Sequence, residues 1–228
     1  MNPMRYFGRI LGVGGAILFA AVAGATDTGA VLDGWLKAQA NFKTWSAEFK
    51  QTRTLKTLTQ PLVSTGHVWF SLPNRFRWEL GNPPQTIAVR ADDEMLVVYP
   101  RLKRAERYPL AGPDAGLVGQ ALALLDAGFP RDRASFEAHF QVKALTATNA
   151  AWQIDLQPAN VVTRQMMPLI RVTLATNDFS LLANEIVLPD GSRMRNDFTN
   201  AILNAPLDNA LFRPELGADY TVTEPLKR

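Results

Sequence analysis

SLPNRFRWEL, residues 71–80, sets Phe76, Trp78 and Leu80 on one side of an extended chain and Arg75, Arg77 and Glu79 on the other. That period of two predicts a strand with one dry and one wet face, entered through a Pro73-Asn74 turn. The same rhythm runs outward in both directions. Upstream, Val68 and Phe70 alternate with His67 and Trp69 across Val63–Ser71. Before them, Trp45, Ala47 and Phe49 alternate with Ser46, Glu48 and Lys50 in a run from Thr44 through Thr54. Downstream, Asn82-Pro83-Pro84 breaks the chain before Ile87 and Val89, which alternate with Ala88 and Arg90. Asp92-Asp93 marks the next turn, and Met95, Val97 and Tyr99 follow. Arg101–Leu110 reads as one more short, basic strand. The joints are too short for crossover helices, so the strands are expected to be antiparallel.

Elsewhere the period changes. Val31, Leu32, Trp35, Leu36 and Phe42 recur at helical spacing after Asp27. Gly116–Ala127 is apolar with a helical period closed by Gly128, and Arg131–His139 reads as a second short helix. Period two returns at Trp152, Ile154 and Leu156, then at Ile170, Val172 and Leu174. Ile186 and Leu188 precede Met194, Asn196 and Phe198, with Pro189-Asp190-Gly191 as the hairpin turn between them. The sum is an α+β fold, a single curved sheet of about eleven antiparallel strands whose dry face is covered by helices. Expected on that face are Trp45, Phe49, Val68, Phe70, Phe76 and Trp78, then Ile87, Val89, Met95, Val97 and Tyr99. The later strands add Trp152, Ile154, Ile170 and Val172. Periodicity leaves open whether this face is ordinary core or a binding surface.

Residues 1–25 read as a secretory leader. Arg5 and Arg9 precede an apolar Ile10–Val22, and Ala21-Val22-Ala23 or Ala23-Gly24-Ala25 offers small-residue cleavage sites. Residues 26–228 are then one exported domain. Without Arg5 and Arg9, 22 Lys+Arg face 21 Asp+Glu, so net charge argues for no nucleic-acid partner. The chain has no cysteine, which excludes disulfides, thiolate catalysis and a lipid-modified cysteine of its own. The bacterial periplasm fits best.

Chemistry is sparse. His67 and His139 fall in different kinds of element, and neither a metal-binding His spacing nor a nucleophile elbow is present. Asp92-Asp93-Glu94 sits where a hairpin turn uses acids for local hydrogen bonds. No catalytic residue, metal or cofactor is expected. The run Arg101–Arg107, with Arg101, Lys103, Arg104 and Arg107, has two readings: a charge-protected edge strand, or a docking patch for an acidic partner or lipid headgroups.

WSAEFKQ at 45–51 resembles the first-strand signature of the LolA family of periplasmic lipoprotein carriers. GHVWFSLPNRFRWE at 66–79 resembles that family's most distinctive stretch, IAVRADDEMLVVYP at 87–100 its next hairpin, and FTNAILNAPLDNALFRP at 198–214 its closing strand and short final helix. The resemblance implies an open, incomplete antiparallel barrel with a hydrophobic concave face. Phe49, Val68, Phe76 and Trp78 would line the cavity. The helix at 116–127, with Leu117, Leu122, Leu124 and Leu125, would form part of a lid.

The resemblance further implies a monomeric carrier, not an enzyme. It would receive acylated lipoproteins from an inner-membrane Lol-type ABC transporter, shield their acyl chains, and pass them to an outer-membrane acceptor. Each buried methylene is worth about 0.8 kcal/mol, so broad apolar walls, not a few polar anchors, suit such cargo. One position departs from the pattern. Leu72 stands where enterobacterial members have a lid-gating arginine before the Pro-Asn turn. A carrier of another acylated lipid or glycolipid, and a periplasmic sensor of lipid or lipoprotein, are the alternatives. Sensors that reuse this fold carry a second domain, for which this chain is too short.

Overall fold

The computed structural model describes residues 27–91, 94–110, 127–148 and 150–225. The expected leader, the Asp92-Asp93 turn and the lid leucines Leu117, Leu122, Leu124 and Leu125 lie outside the described residues. The first half of the chain runs α1 (Thr28–Gln39), β1 (Thr44–Thr54), β2 (Leu62–Ser71), β3 (Arg75–Leu80), β4 (Thr86–Ala91), β5 (Glu94–Tyr99) and β6 (Arg104–Pro109). The second runs α2 (Arg133–His139), β7 (Phe140–Ala147), β8 (Ala151–Pro158), α3 (Val161–Met166), β9 (Leu169–Ala175), β10 (Leu181–Val187), β11 (Arg193–Leu203) and β12 (Thr221–Thr223).

One twelve-stranded sheet takes the order β12-β6-β5-β4-β3-β2-β1-β11-β10-β9-β8-β7. Neighbours pair antiparallel except β12, which joins β6 in parallel. The order ends on β12 and β7, so the sheet stays open. The curved antiparallel α+β sheet is the one read from the alternation, and its open edge is the one the family resemblance implies.

Local chemistry sets the element ends. The Asp27 carboxylate accepts from the Gly29 amide at 2.9 Å, Asp132 from Ser135 at 2.8 Å and Asn160 from Thr163 at 3.0 Å, each capping a helix start. Gly191, at φ +85°, closes the β10–β11 hairpin with its amide on the Leu188 carbonyl. Helix α1 lies on the sheet through Val31, Leu32 and the fully buried Trp35.

Three readings are corrected. Arg101 and Leu102 belong to a 3-10 turn, Pro100–Leu102, and Lys103 is left-handed at φ 49°, so β6 begins only at Arg104. Pro100 starts that turn because its φ is fixed and it has no amide to give a ladder. Strand β7 was not expected, because a register shift between Val142 and Ala144 breaks its alternation. Finally, Ile87 and Val89 lie on the opposite face from Phe76 and Trp78. Phe76 pairs with Arg90 and Trp78 with Ala88, whereas Val89 pairs with Arg77 and Ile87 with Glu79. β4 does alternate, but its larger apolar residues, Ile87 and Val89, face the convex side.

That error has a physical source: the convex face carries a small apolar layer of its own. Val89, Val98 and Ala105 are buried there, with the 3-10 segment Asn209–Phe212 against β3 and β4. The Phe212 ring is 2% exposed, lies 5.1 Å from the Arg75 guanidinium carbon, and the Leu211 carbonyl accepts from Arg77 at 3.0 Å. A strand with apolar cover on both sides has no single dry face for a period-two reading to find.

Candidate functional site

The concave face is assembled by register. Trp45 sits opposite Phe70, Phe70 opposite Phe76, and Val68 opposite Trp78, which places side chains of β1, β2 and β3 in rows on one side. Phe49 pairs with Phe198 on β11 and with Gly66 on β2. Gly66 is needed here, because a Cβ would strike the Glu79 carbonyl oxygen and the Phe49 ring. The Phe49 ring therefore closes over the glycine, its centroid 4.0 Å from that of Trp78. On the other wing Ile154 pairs with Val172, and Ile170 pairs with Leu156 and Ile186.

The structure brings most of the expected residues together. Trp45, Phe49, Val68, Phe70, Phe76, Met95, Ile154, Ile170 and Val172 are buried in one cluster, with Trp78, Val97 and Trp152 half-buried against it. Tyr99 shares the face of Val97 but joins a polar group. The Tyr99 and Tyr108 hydroxyls donate to Glu106 at 3.2 and 2.8 Å, and Arg104 pairs with the same carboxylate. Burial, then the bond to Glu106, pushes the Tyr108 phenol up to about 12. Three side chains thus converge on the Glu106 carboxylate.

Rings outside the expected concave-face set fill the concavity. Phe129 stacks on Phe42 at 4.7 Å and on Phe70 at 5.3 Å, and tilts against Trp45 at 5.0 Å. Phe136 of α2 meets Trp35 of α1 edge-on at 5.7 Å. Phe198 packs edge-on to Trp45 at 5.0 Å. Phe42 continues the helical spacing of α1 but lies beyond its end at Gln39, and Phe129 follows Gly128 outside regular structure, where no period marks it. The Phe129 segment is pinned by Arg131, whose guanidinium donates to the Pro73 carbonyl. Leu72 packs partly buried against the same cluster.

Polar groups enter this face sparingly. Gln51 donates to Asn196 at 3.0 Å and Asn196 to Asn184 at 2.8 Å, a buried amide ladder across β1, β11 and β10. Asn184, Asn196 and Gln51 went unsuspected because each occupies an apolar-phase position. A cavity of ≈ 240 Å³ remains between Phe70, Phe76, Phe129, Phe136, Arg90 and His139. That is below the roughly 300–1,000 Å³ of pockets that enclose drug-sized ligands, so larger guests require the phenylalanine plug to move. A wider groove of ≈ 680 Å³ lies beyond Gly66, but Glu48, Lys50, His67 and Glu79 make it polar.

Of the basic run, Lys103 pairs with Asp219 at 3.2 Å, Arg107 with Glu94 at 3.1 Å, and Arg104 with Glu106, while Arg101 is exposed. Much of its charge is thus compensated. Among the described residues no group of three or more His, Asp and Glu side chains is arranged to hold a metal, and no helix is long and apolar enough to cross a membrane.

Residues 40–215 match the family described as Outer membrane lipoprotein carrier protein LolA. An outer-membrane lipoprotein carrier protein of Methylibium petroleiphilum is 30% identical over 207 residues, 90% of this chain and 94% of that one. Among solved structures, an uncharacterized conserved protein from Thermus thermophilus superposes with a TM-score of 0.52 at 10% identity. The match covers 86% of this chain and 98% of that one, a likeness of fold. A LolA superfamily protein from Nitrosomonas europaea gives 0.44 at 9% identity over 82% and 98% of the two chains.

Proposed function

The chain belongs to the LolA family of outer membrane lipoprotein carrier proteins, and from that premise we propose that its concave face shields the acyl chains of a lipoprotein in the periplasm. One observation carries the reading. The aromatic wall of β1–β3 is covered by separable pieces, namely α1, Phe42, Phe129 and Phe136, and not by a second sheet. Withdrawing Phe129 uncovers Trp45 and Phe70 without breaking a strand ladder. Acyl chains then replace phenylalanine contacts with similar apolar contacts, so loading and release stay close in free energy. An empty carrier that keeps its wall covered also avoids a large exposed apolar patch.

In this reading residues 1–25 direct export and are removed. An inner-membrane transporter supplies the acylated cargo, and an outer-membrane acceptor takes it. Trp45, Phe49, Val68, Phe70, Phe76, Trp78, Met95, Val97, Ile154, Ile170 and Val172 line the route. No step makes or breaks a covalent bond.

Leu72 and Arg131 favour a second reading within the same site. The position before Pro73 is apolar and packed inward, and the plug segment is held instead by Arg131 on the Pro73 carbonyl. A differently held plug suits a different acylated guest, such as a glycolipid. Native mass spectrometry of the protein from its own periplasm separates the two. Lipoprotein-sized additions support the carrier of lipoproteins, lipid-sized additions support the second reading, and a bare chain under conditions that retain lipid overturns both.

A further inference from the structure

Five connections meet at one end of the sheet: 55–61 (β1–β2), 81–85 (β3–β4), 100–103 (β5–β6), 159–168 (β8–β9) and 188–192 (β10–β11). Three of them hold apolar side chains out in solvent. Leu58, with Leu62 and Val63 at the start of β2, is 45, 48 and 58% exposed respectively. Leu102 is 68% exposed, and Val161 and Val162 at the start of α3 are 55 and 60% exposed. The same connections carry Lys56, Arg101, Lys103 and Arg164, with Arg53 and Arg193 at the adjoining strand ends. Two carboxylates accompany them. Asp190 accepts from the Ser192 amide and hydroxyl, and Asp219 pairs with Lys103.

The opposite end also exposes Leu182, Ile202 and Leu203. Its β2–β3 and β9–β10 connections, 72–74 and 176–180, hold Asp178 and no Lys or Arg, while Lys43 and Arg75 stand at the adjoining strand starts. Among the described residues, the first end therefore carries more cations beside its apolar tips. Apolar tips set among Lys and Arg match the boundary between anionic headgroups and acyl chains. The tips stand on separate connections spread along the sheet, an arrangement that meets an extended surface better than a compact partner.

We propose that this end docks reversibly on an anionic lipid surface, with the Leu58, Leu102 and Val161-Val162 tips entering the acyl boundary and the Lys and Arg groups meeting phosphates. The proposal does not rest on the carrier reading, because docking needs no guest in the concavity. The test is co-sedimentation of the protein, purified as its host processes it, with vesicles of phosphatidylethanolamine and phosphatidylglycerol. The expected result is pelleting that falls roughly tenfold in high salt, and again with Leu58→Ser plus Val162→Ser. Ile202→Ser at the other end should change nothing. All three sites are exposed, so the variants keep the fold.

Equal loss with Ile202→Ser, or no pelleting by these vesicles, overturns the proposal. So does retention only by membranes that contain protein, which would make the surface a protein-docking one. Lipid extracted into the concavity stays in the supernatant with the protein, so failure of the acyl-binding reading is scored separately.

Discussion

The two faces of the sheet are held by different physics. Outside, ion pairs run across and along the strands. Arg171 bridges to Asp155 on β8 with two hydrogen bonds at 2.7 and 2.9 Å and to Glu185 on β10 with one at 3.0 Å, while Arg77 pairs with Glu79 along β3 and Arg195 with Asp197 along β11. Inside, the contacts are mainly aromatic and aliphatic, with the amide ladder, the Glu106 group and Arg90 among the polar exceptions. Directional bonds specify a geometry; apolar contacts specify little beyond exclusion of water. A sheet fixed from outside can exchange what fills its inside, which a carrier of varied acyl chains needs.

The strongest way to break this comparison is to cut the inner wall. Phe49→Ala removes a buried ring that packs on Trp78 and Phe198, and should cost about 3–5 kcal/mol by chemical denaturation. It should also weaken binding of a fluorescent acyl probe. Phe129→Ala should lower stability while raising probe affinity, because Phe129 occupies the concavity rather than forming its wall. If both variants shift probe binding in the same direction, wall and plug are not distinct.

Next comes the thinnest point of the wall. Gly66→Ala drives a methyl into the Glu79 carbonyl and the Phe49 ring, and should cost about 3 kcal/mol. Since one obstacle is backbone, adding Phe49→Leu should not restore the lost stability. Full restoration in a thermal melt would mean that the ring alone sets the limit.

Where the faces differ also explains what the sequence could and could not reveal. From β1 through β3 the outer side chains are mostly polar, so alternation identified Phe49, Val68, Phe70, Phe76 and Trp78 directly. In β4 both sides are covered, and Ile87 and Val89 went to the wrong one. Val89 is as buried as Phe49, but beneath the Phe212 segment, and that segment's docking is a long-range event that no local period encodes. The roles of Phe129 and Arg131 were hidden for a related reason: irregular backbone has no period, and only tertiary packing gives those residues, and Phe42 beyond the end of its helix, their place. Arg90 shows the converse, a polar residue in an apolar row that only register could place.

A smaller effect is expected on the outer face. Arg171→Met leaves the half-buried Asp155 and the buried Glu185 without their shared cation, and should cost about 1–2 kcal/mol, between the values for exposed and buried pairs. Acyl-probe affinity should stay at the wild-type level. A matching fall in affinity would show that the outer pairs set the shape of the concavity dynamically, and the separation of roles would not hold.

The smallest effect should appear only as a pH dependence. The Ser192 amide and hydroxyl donate to Asp190 and hold its carboxyl below the usual range of about 3.9. A carboxylate depressed in the folded state contributes stability that is fully present above the unfolded pKa and is lost as pH falls through the folded one. Asp190→Asn should therefore lower the urea midpoint slightly and by a constant amount above about pH 5, with the gap to wild type closing below about pH 4. The Lys56 amide donates to the Ser192 hydroxyl at 3.1 Å, so this small cluster also joins the β1–β2 and β10–β11 connections. Phe49→Ala, which touches no titrating group, should instead lower the midpoint equally across that range. If its penalty closes below pH 4 as that of Asp190→Asn does, the acid limb belongs to the whole fold, and the assignment of titration to the directional, outer contacts fails.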